Sequence, residues 1–446
     1  MNIKTMAIRS HYWYSILIPR RGLQKHIVPT VLIATLTLGF GPEACKDQFQ
    51  VNPTVDHRDE EGALGGHPGY GGWVAVWEHW ENGVAGSDVD GQRFDPTGAA
   101  QGSVFQVNTS SGRDGSPAVA MNSTGDFVVV WADDDSEEIC ARKYQADGTA
   151  LTGELVVATS GDFIRTSPAV AIAAGGEFMV VWEERVVDPD EGALDSDIWA
   201  RYYNASATGS GEIMVNITTV GNQNEPTIAA LDGGGWMIAW ESGNNVLGRR
   251  YTAAGSSVTS ELTLNSHTTG AQTEPNLTEL PGGGYAAVWR GPGFGADTDG
   301  IQLREYSAAD AASGPEIQVN TFTTSWQGRP SVDADVGGDL IVVWESDGSP
   351  EGDADDSSIQ GRMYYANGNP HLQQFQVNTT ATGAQREPVV AFIYELGFPS
   401  VAAVALWTDY EEPDPETVTQ DVQAKIYDIS KVIFADDFET GDTSYW

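Results

Sequence analysis

Two cysteines, Cys45 and Cys140, and seven methionines are all the sulfur in these 446 residues. Two thiols build neither a zinc site nor a disulfide framework, and a single bridge between them is the most the chain allows. Basic residues are scarce: 23 Lys and Arg stand against 63 Asp and Glu, a formal net charge of −40. Nucleic acid and anionic membrane surfaces would meet long-range repulsion, so they are excluded as partners. From residue 50 onward there is no sustained helical period and no span of about 20 apolar residues, which argues against a membrane-embedded body. Nucleophile elbows of the Gly-x-Ser-x-Gly type are missing. The glycines at 233–235 and 282–284 lead into strands, whereas a phosphate cradle follows a strand and opens a helix.

The first 44 residues have a different composition. Lys4, Arg9, Arg20, Arg21 and Lys25 precede an apolar stretch from Ile27 to Phe40, with Glu43 the only acid. This pattern reads as an export signal, with a signal anchor as the alternative. Removing it leaves 18 basic and 62 acidic residues, a formal net charge of −44. The expectation is a bacterial protein that is secreted or held in the cell envelope, monomeric, and not inserted in the membrane once the signal is gone. Its expected partners are an extracellular protein, a glycan or cations.

What the chain does have is a repeat of about 50 residues. Apolar runs end in tryptophan seven times, at Trp77, Trp131, Trp182, Trp240, Trp289, Trp344 and Trp407. A Gly-rich turn precedes each, and an acidic loop, a basic-x-aromatic strand and a Phe-Gln-Val-Asn-type strand follow. Pro117, Pro168, Pro226, Pro275 and Pro330 each lie 14 residues before their Trp. The near-continuous apolar runs predict central strands covered on both faces. Four short strands per unit and seven units predict an all-β, seven-bladed β-propeller over residues 45–428, because radial packing hides the sheet faces and leaves only short edges. Strands of the Phe-Gln-Val-Asn type stand at 49–52, 105–108, 155–158, 213–216, 262–265, 317–320 and 375–378. The first precedes every Trp strand and the last unit lacks one, so 49–52 is expected to pair with 422–427 and close the ring. An open solenoid is the alternative.

These repeats resemble those of bacterial secreted and calcium-binding proteins, which read Gly-x-Phe-Val-Val-Val-Trp, an Asp/Gly-rich loop, Ala-Arg/Gln-Arg-Tyr and Glu-Phe-Gln-Val-Asn-Thr. The resemblance covers about residues 48–428. The C-terminal stretch 429–446, with Asp437-Phe438-Glu439-Thr440-Gly441-Asp442, resembles the Asp-Gly-Phe-Glu-Ser-Gly-Asp tail of exported bacterial proteins. That resemblance implies sorting or anchoring, and a capping strand is the structural alternative.

Function is expected on the face that carries the long acidic loops. Asp88, Asp90, Asp195, Asp197, Asp297, Asp299, Asp353 and Asp355 alternate there as Ca²⁺ ligands do, but the sixth-position Gly and twelfth-position Glu of an EF-type loop are missing. Solvated acidic loops and Ca²⁺ sites both fit; no cofactor is required. A second set, Gln223, Glu225, Gln272, Glu274, Gln385 and Glu387, precedes the repeat prolines beside the innermost strands. These residues either ring the channel mouth and hold a cation or polar ligand, or order the blade junctions. The seven Trp and the basic-x-aromatic pairs read as structural. The expected function is a non-catalytic binding or surface protein. The alternative is an extracellular polysaccharide hydrolase or lyase, with Asp188, Asp190 and Glu191 as candidate carboxylates.

Overall fold

The computed structural model describes residues 43–53, 58–67, 69–81, 85–159, 161, 163–188, 192–293, 299–349, 356–371, 373–380, 382–394, 401–411 and 419–428. Residues 1–42, the tail 429–446, and the candidates Asp190, Glu191, Asp297, Asp353 and Asp355 lie outside the described residues. Strands account for all the regular structure described. No helix among them is long and apolar enough to cross a membrane.

Strand β1 (Glu43–Gln50) comes first. Four strands follow as β2 (Arg58–Gly66), β3 (Trp73–Trp80), β4 (Asp88–Phe94) and β5 (Ala100–Gln106). The second unit is β6 (Asp114–Met121), β7 (Phe127–Asp133), β8 (Glu138–Tyr144) and β9 (Leu155–Ala158). The third is β10 (Phe163–Ile172), β11 (Phe178–Asp188), β12 (Gly192–Tyr203) and β13 (Ile213–Met214). The fourth is β14 (Gln223–Ala230), β15 (Trp236–Ser242), β16 (Asn245–Tyr251) and β17 (Leu262–Thr263). The fifth is β18 (Thr273–Leu280), β19 (Gly284–Gly291), β20 (Gly300–Tyr306) and β21 (Ile317–Gln318). The sixth is β22 (Gln327–Ala334), β23 (Leu340–Asp347), β24 (Ser357–Tyr364) and β25 (Phe375–Gln376). The last is β26 (Ala384–Tyr394), β27 (Val401–Glu411) and β28 (Thr419–Asp428).

Units two to six are separate four-stranded antiparallel sheets in chain order. The first and last units share an eight-stranded sheet, joined by one parallel bridge between Arg58 and Gln420. Strand β1 supplies the fourth strand of the last unit, with Phe49 opposite Ala424 and Gln50 opposite Gln423. Pairing therefore falls where the sequence placed it, and extends back to Glu43 through two register shifts. The first strands neighbour one another in the cycle β2, β6, β10, β14, β18, β22, β26 and back to β2. The fold is all-β and propeller-like.

Sequence explains the sheets locally. In β7 the run Val128–Trp131 is fully buried, as expected for a strand covered on both faces. All seven repeat Trp are buried. The residue that opens the second strand stacks on the aromatic that closes the third. Phe127 on Tyr144, Phe178 on Tyr203 and Tyr285 on Tyr306 are 4.6–4.8 Å apart at the ring centroids. Such cross-strand aromatic pairs each add about 0.5–1.5 kcal/mol beyond their burial.

Of the Phe-Gln-Val-Asn-type segments, 155–158 is a strand throughout, whereas most of the others are shorter as strands than their sequence suggests. In 375–378 only Phe375 and Gln376 pair as strand. The Val377 amide then bonds the Ile359 carbonyl, and the Asn378 side chain accepts the Ile359 amide at 2.9 Å. The same Asn bond is made by Asn108, Asn216, Asn265 and Asn320. Asn52 makes it too, accepting the Val422 amide at 3.1 Å, so the chain's leading strand is bonded like an interior one.

Two further kinds of bond tie later units to the one before. The basic residue of the third strand donates to a fourth-strand carbonyl of the preceding unit. Arg142 to Val107, Arg201 to Val157, Arg249 to Val215, Arg304 to Leu264, Arg362 to Val319 and Lys425 to Val377 span 2.7–3.1 Å. Each of these cations also lies over its own strand's tyrosine, so the pair covers its aromatic while its partner across the junction is a backbone carbonyl. A Glu or Gln ahead of the fourth strand accepts from the Asn-Thr loop of the preceding unit, as Glu154 does from Thr109 and Glu261 from Thr218. Gln48 does the same with Thr379 at 2.9 Å.

Replacing Asn52 with Ala strands the buried Val422 amide and also removes bonds to Asp59 and Asp421. We expect a loss of about 1–3 kcal/mol in urea unfolding, similar to Asn265→Ala in the interior. A neutral Asn52→Ala beside a costly Asn265→Ala would show that the leading strand is not an equivalent member of its sheet.

Candidate functional site

Every first strand carries one extra residue against its partner, a bulge at the same place in each unit. The ladder shifts between Glu60 and Ala63, Gly115 and Ala118, Thr166 and Ala169, Asn224 and Thr227, Thr273 and Asn276, Gly328 and Ser331, and Arg386 and Val389. Proline follows the bulged residue in six units, and a bulge tolerates proline because the ladder there needs no donor. The bulged residues are Glu61, Ser116, Ser167, Glu225, Glu274, Arg329 and Glu387, with φ between 48° and 57°. None is glycine, so each holds a left-handed conformation that costs of order 1 kcal/mol or more, as is common at functional sites.

The residue after each repeat Trp lies opposite the start of this bulge. Glu183 accepts the amide of Glu225 in the next unit. Glu241 accepts that of Glu274 at 2.7 Å, and Glu345 that of Glu387 at 3.4 Å. In the fifth unit this position is Arg290, and roles exchange: Glu274 pairs with Arg290 at 3.1 Å and accepts the Arg329 amide at 2.5 Å. Arg329 reaches Glu345 at 2.9 Å and Glu387 at 3.8 Å. In the first unit Glu78 packs against Gly115, where a Cβ would come within 2.5 Å of its carboxylate. In the last unit the position is Thr408, too short to bridge, and its buried hydroxyl has no hydrogen-bond partner.

The bulges lie at one end of a channel of about 950 Å³ lined by the first strands, with Val119, Val170, Ile228, Leu277, Val332 and Val390 on its wall. A polar pocket of about 380 Å³ opens beside them, lined by Glu183, Glu225, Glu241, Glu274, Arg185 and Arg290 among others. Glu225 is open to solvent, yet protein hems it in on most sides. Burial, then the neighbouring Glu241, Glu183 and Glu274, push its carboxyl up to about 7. Burial also raises Glu78 and Glu387 to about 7, with Glu61 adding to both. Three further aromatics lie around the bulges. Trp326 lies under Arg290 at 5.3 Å, Tyr410 under Arg386 at 5.1 Å, and Trp80 between Arg58 and Arg113, both at 5.2 Å.

The Gln-x-Glu residues thus divide. Glu225, Glu274 and Glu387 stand at the bulges, while Gln223, Gln272 and Gln385 are fully buried. Gln223 and Gln272 accept the indole N–H of Trp240 and Trp289 at 3.0 and 2.9 Å, and Gln327 does so for Trp344 at 2.8 Å. Asp114 takes this place for Trp131 at 3.0 Å. Gln385 instead bonds Asn378 and Asp409. Among the Asp pairs, Asp88 accepts from Gln106 and Asn108, Asp195 from the Gly221 amide, Asp197 from Asn216, and Asp299 from Arg290. Burial raises Asp90 to about 6. Among the described residues no group of three or more His, Cys, Asp or Glu is arranged to hold a metal ion. Arg329 was legible in the sequence as the counterpart of the Gln-x-Glu set, whereas the role of Arg290 and the outer aromatics of the mouth went unread. Their signal was available in Trp80 and Trp326, tryptophans that fall outside the repeat.

No protein-family model matches the chain, and no curated protein matches it by sequence. By fold it is similar to an ulvan lyase from a new polysaccharide lyase family, solved bound to a GlcA(1-4)Rha3S repeat. That match has 9% identity, a TM-score of 0.54, and covers 87% of this chain and 99% of that one. A second ulvan lyase structure matches with 10% identity, a TM-score of 0.54 and the same coverage. An α-L-arabinanase of Penicillium chrysogenum complexed with arabinobiose has 12% identity and a TM-score of 0.48, again covering 87% and 99%. At these identities the likeness shows the fold alone.

A carboxyl whose folded pKa is raised contributes stability that is complete below its unfolded pKa and is lost as pH rises through the folded value. For Glu78, Glu225 and Glu387 the window runs from about 4.5 to about 7. The carboxylates held low, such as Glu261, act below this window. The melting temperature should therefore be higher at about pH 5.5 than at pH 8, and Glu387→Gln should raise it at pH 8. Calorimetry showing a flat or opposite dependence would contradict this reading of the mouth.

Proposed function

We propose that the protein is an exported seven-bladed β-propeller that hydrolyses an extracellular glycan at its channel mouth. The cycle of first strands and the fourth strand lent by β1 to the last unit support the seven-bladed ring. Its fold neighbours include carbohydrate-active proteins, which favours the catalytic alternative over a purely structural surface.

One observation carries the reading: Glu225 and Glu274 share the 380 Å³ pocket in opposite electrostatic surroundings. Glu225, crowded by carboxylates, holds a proton up to about pH 7 and supplies the general acid. Glu274, ion-paired to Arg290, supplies the carboxylate that acts as base or nucleophile. A carboxyl raised by burial beside a carboxylate paired to arginine is the equipment glycoside hydrolysis uses. Trp326, beside the pocket, offers an aromatic face to a sugar ring. A uronate polymer, the substrate of a lyase, would be repelled by a chain of net charge −40 and by the mouth's own acids. A neutral or cationic glycan fits better.

The test is release of reducing ends from a panel of polysaccharides. Glu225→Gln should lower kcat by about 100-fold or more, with the melting temperature retained. Wild-type activity should fall as pH rises through about 7, where Glu225 loses its proton. Binding without cleavage would return the protein to a non-catalytic glycan-binding role. Formation of unsaturated uronates in place of reducing ends alone would identify a lyase.

A further inference from the structure

The mouth is not uniformly satisfied around its circumference. Between units three and seven each carboxylate that follows a repeat Trp accepts the amide of a bulged residue or pairs with an arginine. At the seam between the last and first units that pattern fails. Thr408 occupies the position held elsewhere by Glu183, Glu241 and Glu345, directly opposite Arg386 and next to the Glu387 bulge. Its side chain is wholly buried and its hydroxyl has no partner. One buried carboxylate oxygen of Glu61 and one of Glu387 also lack partners, and these two groups repel each other. Three orphaned polar atoms therefore gather at one corner, where the repeat would have placed a single bridging side chain.

The surrounding charges are mostly negative. Glu60 and Glu345 also act on Glu387. Arg58 pairs with Glu60 at 2.5 Å, Arg329 is divided between Glu345 at 2.9 Å and Glu387 at 3.8 Å, and Arg386 lies over Tyr410. What the corner lacks is a compact donor of several hydrogen bonds carrying positive charge. A primary ammonium has three such donors. A metal ion is a poorer match, since no group of ligands among the described residues is close enough to hold one.

Resting on the glycan reading above, we propose that this seam corner binds the ammonium group of an amino sugar, so that the substrate is a glycan with free amines. The amine donates to Glu61 and Glu387, and the sugar chain runs from there past Arg329 and Trp326 toward the pocket of Glu225 and Glu274. Specificity then comes from the one oxygen of Glu61 and the one of Glu387 that lack hydrogen-bond partners, because an N-acetylated sugar would leave them unsatisfied.

Calorimetric titration near neutral pH with a β-1,4-linked glucosamine hexasaccharide, its fully N-acetylated counterpart and a lysine hexapeptide tests this directly. The amine form should bind at least about tenfold more tightly than the acetylated form, with the preference shrinking as salt rises. Glu61→Gln and Glu387→Gln should each abolish the preference while the melting curve stays cooperative. Equal binding of the two hexasaccharides would overturn the ammonium corner and leave the glycan reading intact. If neither binds, the ammonium corner falls, while the glycan reading stands or falls on release of reducing ends from the polysaccharide panel. Lysine hexapeptide binding as tightly as the amine hexasaccharide would overturn the proposal in favour of a basic protein partner.

Discussion

The bulge in the first strand of every unit is the constraint on which the rest of the structure depends. It sets a non-glycine residue in the left-handed region, turns its amide toward the neighbouring unit, and brings its side chain to the channel end. The amide must then find an acceptor, and Glu183, Glu241 and Glu345, each following a repeat tryptophan, provide it in three units. One backbone irregularity, repeated seven times, thus couples the packing of adjacent units to the chemistry of the mouth. Its strain is offset by burial of the tryptophan runs behind it and by the bonds that carry each unit onto the last.

The same coupling explains why the mouth is so acidic. The carboxylates that hold neighbouring amides, Glu183, Glu241 and Glu345, crowd the carboxyls of the bulged residues, and burial favours the protonated forms of both sets. Arg290 and Arg329 interrupt the circle and pair with the acids they touch. Structural bonds and reactive groups stand side by side here, so the protonated form of Glu225 serves both stability and the proposed chemistry.

Much of the architecture was legible in the sequence because it rests on residues that recur. The tryptophan runs, the basic-x-aromatic strands and the pairing of 49–52 with 422–427 follow from spacing and hydrophobic pattern alone. The site was half legible. Glu225, Glu274 and Glu387 were marked by their place before the prolines, but nothing in Gln-x-Glu-Pro reveals that Gln223 and Gln272 turn inward to an indole. The left-handed bulge is a backbone event without a side-chain signature, since Glu, Ser and Arg all occupy it. Trp80, Trp326 and Tyr410 escaped notice because a repeat draws attention to what recurs, whereas function here gathers where units differ.

The account stands most directly on the protonation of Glu225. Carbon-13 NMR of carboxyl-labelled glutamate, assigned with Glu225→Gln, would follow it across pH. The account predicts a resonance titrating near pH 7. Titration in the ordinary glutamate range, about 4.3, would contradict it.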